Sequence, residues 1–316
     1  MTFPERESRV ISIPEGLDQE RVDAALARAL GLSRSTVVTL IENGEISRGG
    51  KPVTKSDKVA TADVLEILMP SAKSAPQLTP TPVDGLEVVY SDAHIIVINK
   101  PAGVAAHPSP GWQGATVIGA VIAAGYDVST SGAAERQGVV HRLDVGTTGL
   151  MVIAKDELSY SALKDQFRER TVTKVYHALV QGHMDPSQGT IDAPIDRHPR
   201  EDYRFAVVAD GKPSITHYTS LEFFPAVSLL EIELETGRTH QIRVHMSALH
   251  HPLVGDLTYG ADHTIADRLN IHRPWLHARE LKFTHPISGE HLAFSSEYPA
   301  DLTRSLDQLE QNSGQN

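Results

Sequence analysis

The chain has 316 residues, 40% hydrophobic and 22% charged, which suits about two cored domains and argues against long-range disorder. It has no cysteine, so disulfide staples, thiolate nucleophiles and Cys-ligated zinc are excluded, and a reducing cytoplasm is the expected compartment. The net charge of −11 speaks against a nucleic-acid binder as a global sum, but a binding face is a local property and must be sought in the distribution.

The opening MTFPERESRV mixes acids and bases and lacks the apolar stretch of a signal peptide. No apolar run approaches the ~20 residues of a membrane span, so no membrane partner is expected. Leu17, Val22, Ala25, Leu26, Ala29 and Leu30 follow helical spacing, and Gly31 can stop that helix. Ser33 can cap a second helix with Val37, Leu40 and Ile41 on one face and Asn43-Gly44 at its end. Short strand-like pieces follow at 45–46, 52–53 and 63–67. Between Ser33 and Lys58 the charge is +2, with Arg34, Arg48, Lys51 and Lys55 among the bases. On charge alone this is a solvated face.

Pro70 to Gly85 carries four prolines and few large apolar groups, and reads as a semi-rigid linker. Beyond it, 86–90, 94–99, 172–180, 215–223 and 227–234 read as strands, and Gly114–Ala124 as a buried helix. Asp156 can cap a helix through Ala162, Leu163, Gln166 and Phe167; Thr239 can cap one carrying Ile242, Met246 and Leu249. The tail from Ser305 is polar and expected to fray. Strand runs with interspersed helices and no repeating βαβ unit predict an α+β fold with a largely antiparallel sheet. The expected domains are 1–69, a linker 70–85, 86–304, and a disordered tail 305–316.

HRLDVGTTGLMVIAKD, residues 141–156, sets Asp144 in a Gly-containing loop between two apolar segments. Strands on both sides would hold the acid rigidly, and Arg142 would share its strand face. From spacing alone, an Asp that satisfies turn amides is the more common case. Residues 238–251 hold Arg238, Arg243, His240, His245 and His250–His251 with no acid, a local basic surface that the net charge conceals. Four histidines invite a metal reading, but Thr239–Val254 has neither Cys nor acid, so no metal site is expected.

The helix–SRS–helix order followed by IENGEISRGGKPVTKSDKV, over about residues 17–68, resembles an S4-type RNA-binding domain. HRLDVGTTGLMVIAK resembles the signature of the RluA-type pseudouridine synthases. IIVINKPAGVAAHP (95–108), KVYHALVQG (174–182), LETGRTHQIRVHMSALHHPLVGDLTYG (234–260) and WLHARELKFTHPISGE (275–290) occur in that family's order. The S4 module ahead of the synthase is the arrangement of its RluC and RluD group. Val145-Gly146 departs from the family's commoner Lys-Asp.

The resemblance implies a cofactor-free isomerase that converts uridine to pseudouridine in structured RNA, with 23S ribosomal RNA or a large-subunit assembly intermediate as partner and no obligate protein partner. It assigns Asp144 as the catalytic acid, Tyr176 as the active-site tyrosine and Arg243 as the basic partner of the acid. Arg142, Arg238 and His240, with Arg34, Arg48, Lys51 and Lys55 of the S4 module, become candidate RNA contacts. Cleavage of a glycosidic bond develops positive charge on the sugar, which a carboxylate can attack or stabilise. The alternatives are a noncatalytic RNA-binding or assembly factor, and a synthase acting on transfer RNA. A glycoside hydrolase would need a second carboxylate that the matched blocks do not supply.

Overall fold

The computed structural model describes residues 7–30, 32, 34–69, 79–109, 112–131, 137–201 and 203–313, and the chain divides into two compact units, 1–75 and 76–316. In the first unit, β1 (Ser8–Ser12) is followed by α1 (Val22–Leu30), α2 (Arg34–Glu42), β2 (Ile46–Arg48), β3 (Lys51–Pro52) and β4 (Val64–Leu68). The strands form one antiparallel sheet in the order β1-β4-β2-β3. Val22, Ala25 and Leu26 of α1 meet Val37, Leu40 and Ile41 of α2 over Ile46, Leu65 and Ile67, so the apolar spacing read from the sequence is the core. Leu17 lies in a separate 3-10 turn before α1. The expected Gly31 stop and Ser33 cap lie outside the described residues.

The second unit is built on a nine-stranded sheet. Its elements are β5 (Glu87–Ser91), β6 (Ile95–Lys100), α3 (Val117–Ala123), β7 (Thr148–Ala154), α4 (Glu157–Glu169) and β8 (Thr173–Gln181). They continue with β9 (Gln188–Asp192), the small pair β10 (Ile195–Arg197) and β11 (Phe205–Val207), then β12 (Ile215–Phe224) and β13 (Val227–Leu234). The chain closes with α5 (Gln241–Ala248), α6 (His263–Arg268), β14 (Leu276–Thr284), β15 (His291–Ser295) and α7 (Ala300–Ser313). The strand order is β5-β6-β7-β14-β8-β13-β12-β9, with β15 beside β14. Among the strand pairings of the described residues only β7–β14 is parallel, so the α+β, mainly antiparallel expectation holds. Apolar clusters cover both faces: one gathers α3, α5 and the central strands, the other α4 with β6, β7 and β14.

Three sequence expectations are corrected. The tail does not fray at Ser305: α7 runs to Ser313, with Leu302 fully buried and the Trp275 indole donating to Ser305 Oγ at 2.7 Å. Its apolar residues Leu302, Leu306 and Leu309 pack on Trp275, a distant partner that a local count of Gln and Asn cannot reveal. Of the proposed linker, 70–78 lie outside the described residues, whereas Thr81 donates to Gly119 O of α3 at 3.1 Å, so this end belongs to the second unit. Asp144 is not flanked by two strands. Val139 makes one isolated bridge to Ile153, 140–147 contain no strand, with bends at 140–141 and a turn at 145–146, and the strand face that Arg142 was to share with Asp144 does not exist.

Candidate active site

β7 and β8 bring the acid and the tyrosine together. Asp144 opens a turn that Thr147, one residue before β7, closes by donating its N–H to Asp144 O at 3.1 Å. Gly149 then pairs with Ala278 of β14 at φ +113°, and a Cβ there would lie 2.3 Å from Ala278 O. Only glycine allows β7 to approach β14 this closely. Tyr176 sits mid-way along β8, opposite Ile232 on one side and Ala278 on the other, and is 7% exposed.

α5 supplies the base. The expected Thr239 cap is corrected: His240 precedes the helix in a left-handed conformation (φ 56°) with no side-chain cap. Gln241 organises the entry instead, its Oε1 accepting from Arg238 N–H at 3.0 Å and from Thr236 Oγ at 2.8 Å. Arg243, 8% exposed, points Nη1 at Asp144 Oδ2, 3.4 Å away. Its closer partner is Asp256, which accepts from Nε at 2.6 Å and from Nη2 at 2.8 Å and is 1% exposed. Tyr259 lies under the guanidinium, 4.8 Å from ring centre to Cζ. Burial opposes the charge on Arg243, but the hydrogen bonds and charge of Asp256, with that of Asp144, outweigh it and push the guanidinium up.

Asp144, Tyr176, Arg243, Arg142, Arg238 and His240 all line one cavity of about 830 Å³. His240 Nε2 lies 3.8 Å from Asp144 Oδ2, and its Nδ1 is 2.8 Å from the Tyr259 hydroxyl. Burial pushes His240 below the usual histidine range, with Asp144 opposing. Arg238 is exposed and donates Nε to Pro213 O at 3.2 Å; Arg142 is exposed at the same cavity. Burial, and secondly the charge of Asp144, push the Tyr176 phenol up, so it stays protonated at neutral pH.

The four S4-module candidates are not in this cavity. Arg34 makes a two-pronged pair with the buried Asp23 at 3.0 and 3.2 Å, shared with Arg21. Arg48 donates to Lys58 O at 2.8 Å and lies 3.2 Å from Asp63. Lys55 is 4.0 Å from Glu42, and Lys51 is exposed on β3. Part of the cationic charge counted in this module thus ties its own fold together. The histidines are similarly dispersed: His245 bonds Thr216 Oγ and Ala193 O, and His251 bonds Gln181 O. Among the described residues no group of three or more His, Asp or Glu is placed to hold a metal ion.

Sequence reasoning missed Asp256, Tyr259, Lys100 and Arg273. Lys100, fully buried at the end of β6, donates to Pro101 O at 2.9 Å, Val104 O at 2.8 Å and Val145 O at 3.3 Å. Burial pushes its ammonium down to about 7, with the charge of Asp144 opposing and that of Arg273 adding to the fall. Arg273 donates to Gly146 O at 3.0 Å and is itself held by Asp301 of α7 at 2.8 and 3.0 Å. The available signals were weak: a lysine ending an otherwise apolar strand, and a Gly-Asp just beyond the acid-free stretch.

The sequence matches the RNA pseudouridylate synthase family over residues 94–248 and the S4 domain over 20–65. An uncharacterized RNA pseudouridine synthase of Mycobacterium bovis is 53% identical over 298 residues, 94% of this chain and 97% of that one. A protein of Xanthomonas campestris named ribosomal large subunit pseudouridine synthase D is 39% identical, over 95% of this chain and 92% of its own. The human RNA pseudouridylate synthase domain containing 1 structure superposes with a TM-score of 0.57 at 30% identity, covering 75% of this chain and 98% of that one. The chain belongs to the RNA pseudouridylate synthase family and carries an S4 domain ahead of the synthase unit.

Proposed function

We propose that this synthase acts on large-subunit ribosomal RNA and that Asp144 is its catalytic carboxylate. The observation that carries the assignment is the placement of Asp144. Its side chain is 17% exposed in a cavity of about 830 Å³, with Arg243 Nη1 3.4 Å from Oδ2 and Tyr176 in the same wall. A uridine inside a duplex could not reach it, so the base must leave the stack, at a cost of about a few kcal/mol. The exposed Arg142 beside the cavity is suited to fill the vacated space, since a guanidinium plane stacks on bases.

Isomerisation breaks the N1–C1′ bond, turns the base and forms C5–C1′, with no redox change and no donated group. An ionised Asp144 beside C1′ opposes the positive charge that develops there. Arg243 sets a positive charge beside that carboxylate, and Asp256 keeps Arg243 in place. Tyr176 offers its ring as a stacking platform. Because its phenol stays protonated at neutral pH, its hydroxyl acts as a donor rather than as a phenolate base. The last step removes the C5 proton, which requires a general base. The large-subunit target is supported by relatives that bear that name at 38–40% identity.

The test is a pseudouridine map of ribosomal and transfer RNA from cells with the gene, without it, and complemented with Asp144→Asn. A large-subunit site lost on deletion, restored by the parent and not by Asp144→Asn, is the expected result. Restoration by Asp144→Asn would overturn the catalytic assignment; loss of a transfer-RNA site alone would overturn the target.

A further inference from the structure

Six cationic side chains other than Arg243 line the cavity, against two carboxylates, Asp144 and Glu235. Several already have partners. Arg243 is held by Asp256 and Asp144, Arg168 by Asp165 and Glu169, and Arg170 by Glu235 at 3.3 Å. Lys164 is exposed on α4. Lys174 differs from all of these. It is half-buried, and among the described residues no carboxylate or hydrogen-bond acceptor meets its ammonium.

Its position is fixed by β8. Lys174 and Tyr176 are two residues apart, so they share a face of the strand, about 7 Å apart along it, and both border the cavity. Nearby, His141 is locked as a neutral ring: Nε2 accepts from Val152 N–H at 3.0 Å and the ring stacks on Phe167 at 4.6 Å. Burial pushes His141 down to about 3, with the charge of Lys174 adding to the fall. Burial, then the charge of Arg170, push Lys174 itself down to about 8. Among the described residues no counter-charge offsets the desolvation of this ammonium, which is costly without one.

The anion that completes the site must come from the substrate. Uracil and ribose are neutral in their ordinary forms, and the only fixed negative charge of RNA is its phosphodiester. We propose that Lys174 is a phosphate seat: its ammonium takes a non-bridging oxygen of a phosphodiester flanking the target uridine, while Tyr176, on the same strand face, receives the base. The seat rests on the reading of the Asp144 cavity as the place where the flipped nucleotide is held. It supplies two things that base stacking cannot, a fixed register of the backbone against the sheet and a reward for extrusion that depends on salt.

The test uses the full chain and an unmodified large-subunit ribosomal RNA transcript, with release of the C5 hydrogen followed in single turnovers. Lys174→Gln should raise the half-saturating protein concentration about tenfold, the size of one charged hydrogen bond, and affect half-saturation more than the saturating rate. The salt dependence of that concentration should flatten by about 0.7–0.9 log units per log unit of salt, the share of one phosphate contact. Lys174→Arg, which keeps the charge, should restore most of both. Removal of an unpartnered desolvated charge should also leave the melting temperature of Lys174→Gln equal to or above that of the parent.

Unchanged half-saturation and salt slope would overturn the seat. A loss confined to the saturating rate would do the same, since it would place Lys174 in the chemistry. A lowered melting temperature with no rescue by arginine would make the residue structural. Asp144→Asn, assayed alongside, separates the two levels: conversion by that variant would sink the reading of the cavity, whereas the Lys174 salt slope reports on the phosphate alone.

Discussion

Replacing Arg243 with Met removes a guanidinium shared by two carboxylates. Asp256 is 1% exposed and has no other side-chain hydrogen bond among the described residues, so it is left as a buried anion without its cation. Breaking a buried pair in this way costs about 3–5 kcal/mol, a large part of the roughly 5–15 kcal/mol that keeps a domain folded. The Asp144 arm is weaker, at 3.4 Å with a partly exposed carboxylate, and contributes a smaller share. The loss should therefore be traced mainly to Asp256, and a second substitution should show it. Asp256→Leu added to Arg243→Met removes the stranded charge, and buried pairs replaced by apolar groups are often neutral in stability. The double variant should recover most of the lost stability while remaining inactive, because Asp144 still lacks its cation. Urea unfolding of the four proteins in the cycle gives the coupling energy, expected at several kcal/mol. Acid, which neutralises a stranded carboxylate, should narrow the gap between the parent and Arg243→Met. Additive losses in the cycle, or turnover regained by the double variant, would refute the account.

Deletion of residues 1–75 should weaken RNA binding and flatten its salt dependence while leaving the synthase unit folded, as filter binding over a salt series and circular dichroism would show; unchanged affinity would remove the S4 module from RNA anchoring. Asp301→Asn should loosen Arg273 from Gly146 O and lower the saturating rate several-fold more than it changes RNA half-saturation, measured in single turnovers. Burial holds His177 and His277 down to about 4 and His141 to about 3, against about 6.5 when unfolded. The unfolded chain then binds more protons, so this stability is present above about pH 6.5 and is lost as pH falls toward 4, by up to about 1.4 kcal/mol per pH unit for each histidine. His277→Asn should make the pH dependence of the urea midpoint shallower by about one proton; an unchanged slope would show that His277 is not buried neutral.

Strands β5, β6, β7, β8, β12 and β13 of the synthase unit were legible because their apolar runs are bounded by polar turns, whereas β9, β10, β11, β14 and β15 were not read as strands; both S4-module helices were legible because their apolar spacing is local. Asp144 could be singled out only through the motif around it, since an acid in a glycine-bearing loop is ordinary. Asp256 stayed hidden for a different reason. Its partner lies 13 residues away, across α5 and the turn that follows it, and nothing in the local pattern distinguishes a buried Asp from a capping one. Arg34 shows the reverse error: a basic residue counted toward an RNA surface spends two of its donors on the buried Asp23. Charge counts along a chain register the sign of a side chain, not whether a fold has already neutralised it.

The turn that carries Asp144 must hold a carboxylate still without strands on both sides, and it does so through its carbonyls. Val145 O accepts from Lys100 Nζ and from Gly103 N–H at 2.9 Å, and Gly146 O accepts from Arg273 at 3.0 Å. Cations thus grip the main chain directly after the acid, while Arg243 meets its side chain. This arrangement fixes the position of the carboxylate and places positive charge on both sides of its turn. Lys100 needs all three of its N–H groups for its three acceptors, so the same hydrogen bonds that clamp the turn favour the ammonium against the burial that lowers it. Seven of the chain's 29 lysines and arginines line this one cavity against two carboxylates, a local excess of positive charge in a chain of net charge −11.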